Sequence, residues 1–411
     1  MCAELPCAMG PFWGNFNNFD CAVRFNAGLT ATMLIDWYDF TGDAVFLKGT
    51  LWRFLAGVAD FYSSYSVRGN SGRLELHRTC AQEMCQQRRG GGHTNTEDNA
   101  LSDLAYVRMA VKKLKEYAAA AGGTVKSEWL ELERDLIEFP LVARCPRGSD
   151  NCTSPSLGWA EATSSNSEVP PLGNTGEIVY FVGYASAQIV LTSVLIADYP
   201  IVYFSPIHPG QIVGLESPPE VLEHARNTLW SINTDNQWHP NNGFCLGWPS
   251  AGRINGRENG TRVLDAMTNA IHAACFPNFW PNLGGGGLEQ AGGIEAIHSM
   301  LLQSHESCLR FFPGWPVNGS VSFENLRARG GFLVSSSQTQ GTINDVSVLS
   351  EGGLPLQFCV PHGWVAAQVL LDGKAVTATP VNATLGSFSV ATTRGSVYTL
   401  RSAQHDDAVS R

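Results

Sequence analysis

Two glutamates and a run of asparagines are of residue types that could move a proton or hold a water. Glu289 follows the glycine run 284–287 and opens a helical pattern, where free backbone amides hold a carboxylate ionised and fit it for a base role. Glu83 lies in HRTCAQEM, and burial beside Cys80, Met84 or Cys85 would raise its pKa, as an acid working near neutrality requires. Glu97, Asp98 and Glu161 compete with it for that role. In WGNFNNFD (residues 13–20) either Asn15 with Asn17 or Asn18 with Asp20 has i,i+2 spacing, and an extended chain turns such a pair to one side. Aromatic and planar polar side chains gather in WHPNNGFCLGWP and FPNFWPNL: Trp238, His239, Asn242, Trp248, Asn278 and Trp280, with Trp13 upstream. Each of these residues also has an ordinary structural role open to it, as a first-turn Glu, a solvated Glu, a turn asparagine or a packed aromatic.

Other chemistries lack their signatures. The glycine run before a helix has no Walker Lys-Ser/Thr, and no G-x-G-x-x-G is completed at Glu289. Cys80, Cys85 and His93 have no second Cys/His pair at zinc-like spacing, so no metal or cofactor is expected. Neither G-x-S-x-G nor H-E-x-x-H occurs.

Composition narrows the class further. With 16% charged and 10% aromatic residues the chain reads as a packed globular protein, and 411 residues is enough for one large core plus a satellite domain. The net charge of −10, with no basic cluster beyond Arg88 and Arg89, excludes the usual footprint of a nucleic-acid or anionic-membrane binder and favours a neutral or cationic ligand. Eleven cysteines and four N-x-Ser/Thr sequons, at Asn151, Asn259, Asn318 and Asn382, point to the secretory pathway or the extracellular space. Residues 1–6 hold neither part of a signal peptide. Cys145 and Cys152 are expected to close a short disulfide loop. Residues 178–197 carry no charge, yet their polar content and lack of basic flanks favour a buried segment over a membrane span.

These side chains need elements to position them. Apolar residues recur at three and four across residues 26–65, broken at Thr41-Gly42-Asp43, which predicts two antiparallel helices with Thr41 or Asp43 capping the second. A third helix is expected over 98–121, with Thr94 and Glu97 in capping-box spacing and Gly122-Gly123 at its end. Ser217, Pro218 and Glu220 suggest a helix over 220–231, and further helices are expected over 261–274 and 290–304. Beyond residue 311 the pattern becomes short strands, including 332–335, 346–349, 367–371 and 397–401, separated by glycine turns.

Against that background two motifs stand out. Tyr38-Asp39-Phe40-Thr41-Gly42-Asp43 looks like the helix pair of toroidal glycosidases, and GGLEQAGGIEAIHSMLLQSHESCLRFFPGWP followed by LRARGGF (326–332) is similar to glycoside hydrolase family 95, the α-L-fucosidase-like enzymes. Residues 216–228 and WGNFNNFD agree, so the resemblance covers most of 11–403 and is weakest over 125–203. It implies a mainly α fold: an (α/α)6-type toroid, complete or partial, over residues 1–310, then a small C-terminal β-sandwich domain with a short polar tail over 311–411. Family members carry a β-sandwich ahead of the barrel that this sequence does not display.

The resemblance also implies roles. An inverting glycosidase protonates the leaving oxygen with one carboxylic acid and activates water on the opposite sugar face with another. Glu83 would be the acid and Glu289 the base, working through the asparagine pair in either register. The turn carrying Glu289 more often holds Asp in the family, and Leu288 is the alternative alignment. Pyranose rings show apolar C–H faces between hydroxyls, which the aromatic and amide set from Trp13 to Trp280 would meet. The expected activity is exo-hydrolysis of terminal α-L-fucosyl or related α-linked sugars. An inactive carbohydrate-binding or structural fragment and a toroidal polysaccharide lyase are the alternatives. No nucleic-acid or membrane partner is expected, and oligomeric state is not legible.

Overall fold

In the computed structural model, Gly42 ends the first helix in the left-handed region (φ 67°), with its N–H on the Tyr38 carbonyl. The structure describes residues 24–77, 79, 98–144, 156–160, 163, 204–232, 244–274 and 291–403. Helix α1 (Asn26–Thr41) buries Gly28, Ala31, Thr32 and Ile35, spaced i, i+3, i+4 and i+7, whereas Met33 and Trp37, the large apolar residues of the sequence pattern, lie on the exposed side. Asp43, rather than Thr41, caps the second helix: its Oδ1 accepts from the N–H groups of Val45 and Phe46 at 2.9 Å each. Thr41 instead donates to the Trp37 carbonyl at 2.6 Å. The second helix runs as α2 (Ala44–Phe46), a π-helical turn (Leu47–Leu51) and α3 (Trp52–Tyr65). The π turn keeps both Leu47 and Leu51 in the core.

Hairpin β1 (Val67–Arg68) and β2 (Leu74–Glu75) leads to α4 (Leu101–Ala121), the central helix of the first core, and α5 (Ser127–Asp135) packs beside it. Helix α4 begins three residues later than the sequence suggested. Asp98 is drawn into a bridge with Thr163, Asn99 turns to φ 55°, and Ala100 precedes the helix without a side-chain cap. Thr94 and Glu97 lie outside the described residues. Gly122 ends α4 as expected, at φ 68°. Where α1 crosses α4, a Cβ on Gly28 would sit 2.3 Å from Tyr106 Cβ, so only glycine permits that approach.

A second core is built by α6 (Pro219–Ile232), α7 (Phe244–Ile254), α8 (Gly260–Ala274) and α9 (Ala291–Leu301), with hairpin β3 (Leu141–Arg144) and β4 (Ser156–Trp159) against α6. Ser217 does not cap α6; its hydroxyl accepts from Gly214 N–H at 3.0 Å, and the helix opens at Pro219. Helix α7 falls in a stretch whose Gly247 and Pro249 read as loop. Its glycine packs closely too: a Cβ on Gly252 would meet the Ala296 carbonyl of α9 at 2.8 Å. Helix α9 stops at Leu301 because β5 (Leu302–Gln303) pairs with β6 (Arg310–Phe311). Among the described residues no helix is long and apolar enough to cross a membrane; 178–197 lie outside them.

The rest is antiparallel sheet. A seven-stranded sheet contains β7 (Val321–Ala328), β8 (Phe332–Thr339), β9 (Thr342–Ile343), β10 (Val346–Ser350), β12 (Ala367–Leu371), β13 (Lys374–Val376) and β16 (Val397–Ser402). Strands β11 (Leu356–Cys359), β14 (Thr379–Asn382) and β15 (Ser387–Val390) form a second sheet that shares its core. In β8, Phe332, Val334, Ser336 and Gln338 alternate inward, the period-two pattern of a half-buried strand. A disulfide joins Cys308 to Cys359, Cα atoms 5.5 Å apart, tying the segment after α9 to β11. The sequence did not single out this pair, whose partners are 51 residues apart. Cys145 and Cys152 lie outside the described residues.

Candidate functional site

The turn from β7 to β8 carries Arg329 onto α1. Gly330 and Gly331 take φ of 84° and 69°, and Gly330 N–H donates to the Asp39 carbonyl at 2.7 Å. The Arg329 guanidinium thereby lies 2.6 Å from Asp36 and 3.0 Å from Asp39, two carboxylates three residues apart on α1. Gln211 donates to Asp36 at 3.2 Å and accepts from Arg329. Asp39 also accepts from Tyr117 at 2.5 Å and Lys113 at 3.2 Å. Burial alone would lower the Arg329 pKa; Asp39 and Asp36 outweigh it and raise it, so a fixed cation stands here.

A second ion pair faces it from the other helical core. Arg253 of α7 donates to Glu295 of α9 at 2.8 Å, and Ser299 donates to the same oxygen at 3.1 Å. Burial opposes the Glu295 charge, but hydrogen bonding from His298 and the Arg253 charge hold its carboxyl well below the ordinary range. His208, before the cis peptide to Pro209, has its imidazole pushed down to about 3 by burial and then by Arg253. His305 is pushed well below its ordinary value by burial, Arg253 and Arg329. Both imidazoles are therefore neutral near pH 7.

These groups line a cavity of about 350 Å³ bounded by Asp36, His208, Arg253, Glu295, His305 and Arg329. Ser304, His305 and Arg329 also border a second cleft of about 680 Å³. There Glu216 accepts from Arg310 and from the Ser307 hydroxyl, both at 2.7 Å, and Glu306 accepts from Glu216 N–H at 2.8 Å. Burial, with the Glu216 charge, raises the Glu306 pKa. The arrangement offers fixed charges already matched to one another, neutral imidazoles and directed hydrogen-bonding groups, which suits binding of an uncharged polar ligand. Among the described residues no group of three or more His, Cys, Asp or Glu is placed to hold a metal ion.

Of the residues singled out from sequence, Glu83, Glu289, Asn15, Asn17, Asn18, Asp20, Trp13, Trp238, His239, Asn242, Asn278 and Trp280 lie outside the described residues, as do Glu97 and Glu161. Asp98 is described: it pairs with His77 at 3.2 Å and lines neither cavity. Trp248 must be corrected. It is 0% exposed, packed on α7 within the second core, and an indole with no open face offers no platform to a sugar. Gly292 and Glu295 bring α9 into the cavity wall, so the helix that begins two residues after Glu289 reaches the site.

Sequence reasoning missed Asp36, His208, Arg253, Glu295, His298, Gln303, His305 and Arg329. Several sat inside the motifs already noted, His305 closing MLLQSH and Arg329 within LRARGG. The Glu295, His298 and Ser299 spacing puts three polar groups on one helical face and could have been read. His208 and Arg253 carry no local signal; tertiary packing alone brings them in.

No family model matches the chain, and no curated protein matches it. Among solved structures it is similar to Ara127N-Se, a GH127 beta-L-arabinofuranosidase from Geobacillus Stearothermophilus T6, with a TM-score of 0.25 and 12% sequence identity over 95% of this chain and 63% of that one. The chain thus spans less than two thirds of that neighbour's length, and a likeness of this size carries no argument about fold or activity.

Proposed function

We propose that the chain is an inverting exo-glycoside hydrolase of the family 95 kind, acting on terminal α-L-fucosyl or related α-linked sugars. Its domains are a toroidal unit over 1–310 and a β-sandwich unit over 311–411, and its setting is the secretory pathway. The supporting observation is the meeting, at one cavity, of three segments that carry the resemblance: the Tyr38 to Asp43 motif through Phe40, MLLQSH through His305, and LRARGG through Arg329. In this reading Glu83 protonates the leaving oxygen, Glu289 directs water to the opposite face of the sugar, and Asn15 with Asn17, or Asn18 with Asp20, holds that water. Sugar contacts come from Trp13, Trp238, His239, Asn242, Asn278 and Trp280.

One observation favours a second reading, a carbohydrate-binding chain without catalysis. Asp36 and Glu295, the carboxylates at the described cavity, are both engaged by guanidinium groups, and neither is poised as a free acid. Release of nitrophenol from a panel of aryl α-glycosides, α-L-fucoside included, separates the two. Turnover by the wild type, lowered at least ~100-fold in Glu289→Gln, is expected for the hydrolase. Wild type and variant equally inert, with sugars still bound, would establish the binding reading instead.

A further inference from the structure

Among the described residues, three buried polar atoms of side chains lining the 350 Å³ cavity have no hydrogen-bond partner: His208 Nδ1, His305 Nε2 and Gln303 Oε1. Gln303 is 2% exposed and His305 8%, so solvent does not stand in for the missing partners. The Gln303 amide is fixed in orientation because its NH2 donates to the carbonyls of Ser299 at 2.9 Å and Gly252 at 3.1 Å, leaving its oxygen as an unmatched acceptor. Each neutral imidazole can donate or accept through its idle nitrogen according to tautomer, and a turn about χ2 re-aims it. A buried polar atom left unmatched is costly, so a ligand supplying the partners gains affinity that an apolar occupant would not.

Charge on the wall decides the class. On the wall Arg253 is committed to Glu295 and Arg329 to Asp36, two guanidiniums matched by two carboxylates, and Arg329 is held further by Asp39, which Lys113 also neutralises. An anionic ligand finds both guanidiniums of the wall already engaged by carboxylates and so gives up its hydration without gaining an ion pair, while a hydrocarbon leaves all three polar atoms unmatched. Vicinal hydroxyls both donate and accept. The volume lies at the small end of ligand sites, room for one ring and not a chain. The geometry points to Gln303, His305 and His208 as a hydroxyl-binding triad that accepts a single neutral sugar ring and rejects its acidic counterpart. This deepens the glycosidase reading and rests on it only for the sugar.

Calorimetric titration of the full chain with L-fucose, D-galactose and D-galacturonate tests the assignment. At least one neutral sugar should bind, with D-galacturonate at least ~10-fold weaker than D-galactose or undetected. His305→Leu should weaken the neutral sugar at least ~10-fold while its urea midpoint stays at or above that of the wild type, because the lost atom had no partner to lose. Equal binding of galactose and galacturonate, no binding of any neutral sugar at millimolar concentration, or a folded His305→Leu that binds as the wild type does, overturns it. Should His305→Leu fail to fold, the wild-type comparison of neutral with acidic sugar still decides. Sugar binding without aryl-glycoside turnover sinks the hydrolase and leaves the triad; turnover with an unchanged KM in folded His305→Leu does the reverse.

Discussion

Asp103 shows how a single buried group sets the pH response of the first helical core. It is 0% exposed at the start of α4, and Tyr62 donates to its Oδ1 at 2.5 Å while Oδ2 has no partner among the described residues. Burial pushes its carboxyl up to about 7, against the Tyr62 hydrogen bond and the Arg24 charge, which act the other way. Since the unfolded value is near 3.8, the native state holds more protons between roughly pH 4 and 7, and this group's contribution to stability falls as pH rises through that window. His208 and His305 have the opposite sign: held neutral when folded, they favour unfolding as pH drops below about 6.5. The histidine contribution cancels when Asp103→Asn is subtracted from wild type. Urea unfolding at pH 5, 6, 7 and 8 should show the stability of Asp103→Asn rising relative to wild type across the series; a constant difference would contradict the assignment. Little of this was legible beforehand. An aspartate three residues into a helix reads as an ordinary first-turn acid, and only the packing of Tyr62 from α3 gives it another character. The same holds at the candidate site, where His208 and Arg253 lie 45 positions apart in sequence with no shared motif.

At the scale of elements the sequence was most informative where backbone chemistry is local. Gly42 and Gly122 terminate helices as read, and the glycine turns beyond residue 311 mark strands that formed where expected, lengthened by one to four residues in β8, β10 and β16. Where tertiary contacts compete, local signals lost: the Asp98–Thr163 bridge delays α4, the β5–β6 pair shortens α9, and packing against α9 holds α7 helical through Pro249. The Cys308–Cys359 bond belongs to this scale as well, because cysteine spacing cannot specify a link across 51 residues. Closing a loop of that length removes chain entropy worth about 4 kcal/mol from the unfolded state. The double variant Cys308→Ser/Cys359→Ser should therefore unfold about 2–4 kcal/mol more readily in guanidinium. Unchanged stability, equal to that of the wild type under reducing conditions, would show that the bond does not form in solution.

For the whole molecule, the helical and β units meet at Arg329, and the carbohydrate reading depends on what faces the cavity they enclose. A helical part followed by antiparallel sheet was legible because the helical period dominates up to about residue 301 and the strand period beyond 311, whereas the toroid and the proposed acid and base, Glu83 and Glu289, rest on the family resemblance alone. An experimental structure with a bound terminal sugar is the most direct measurement. The sugar should occupy the cavity between His208, His305 and Gln303, with the Glu83 and Glu289 carboxyls facing each other across it at about 6.5–9.5 Å, the separation inversion requires. Either carboxylate on the outer surface, or the sugar seated away from that cavity, would contradict the account.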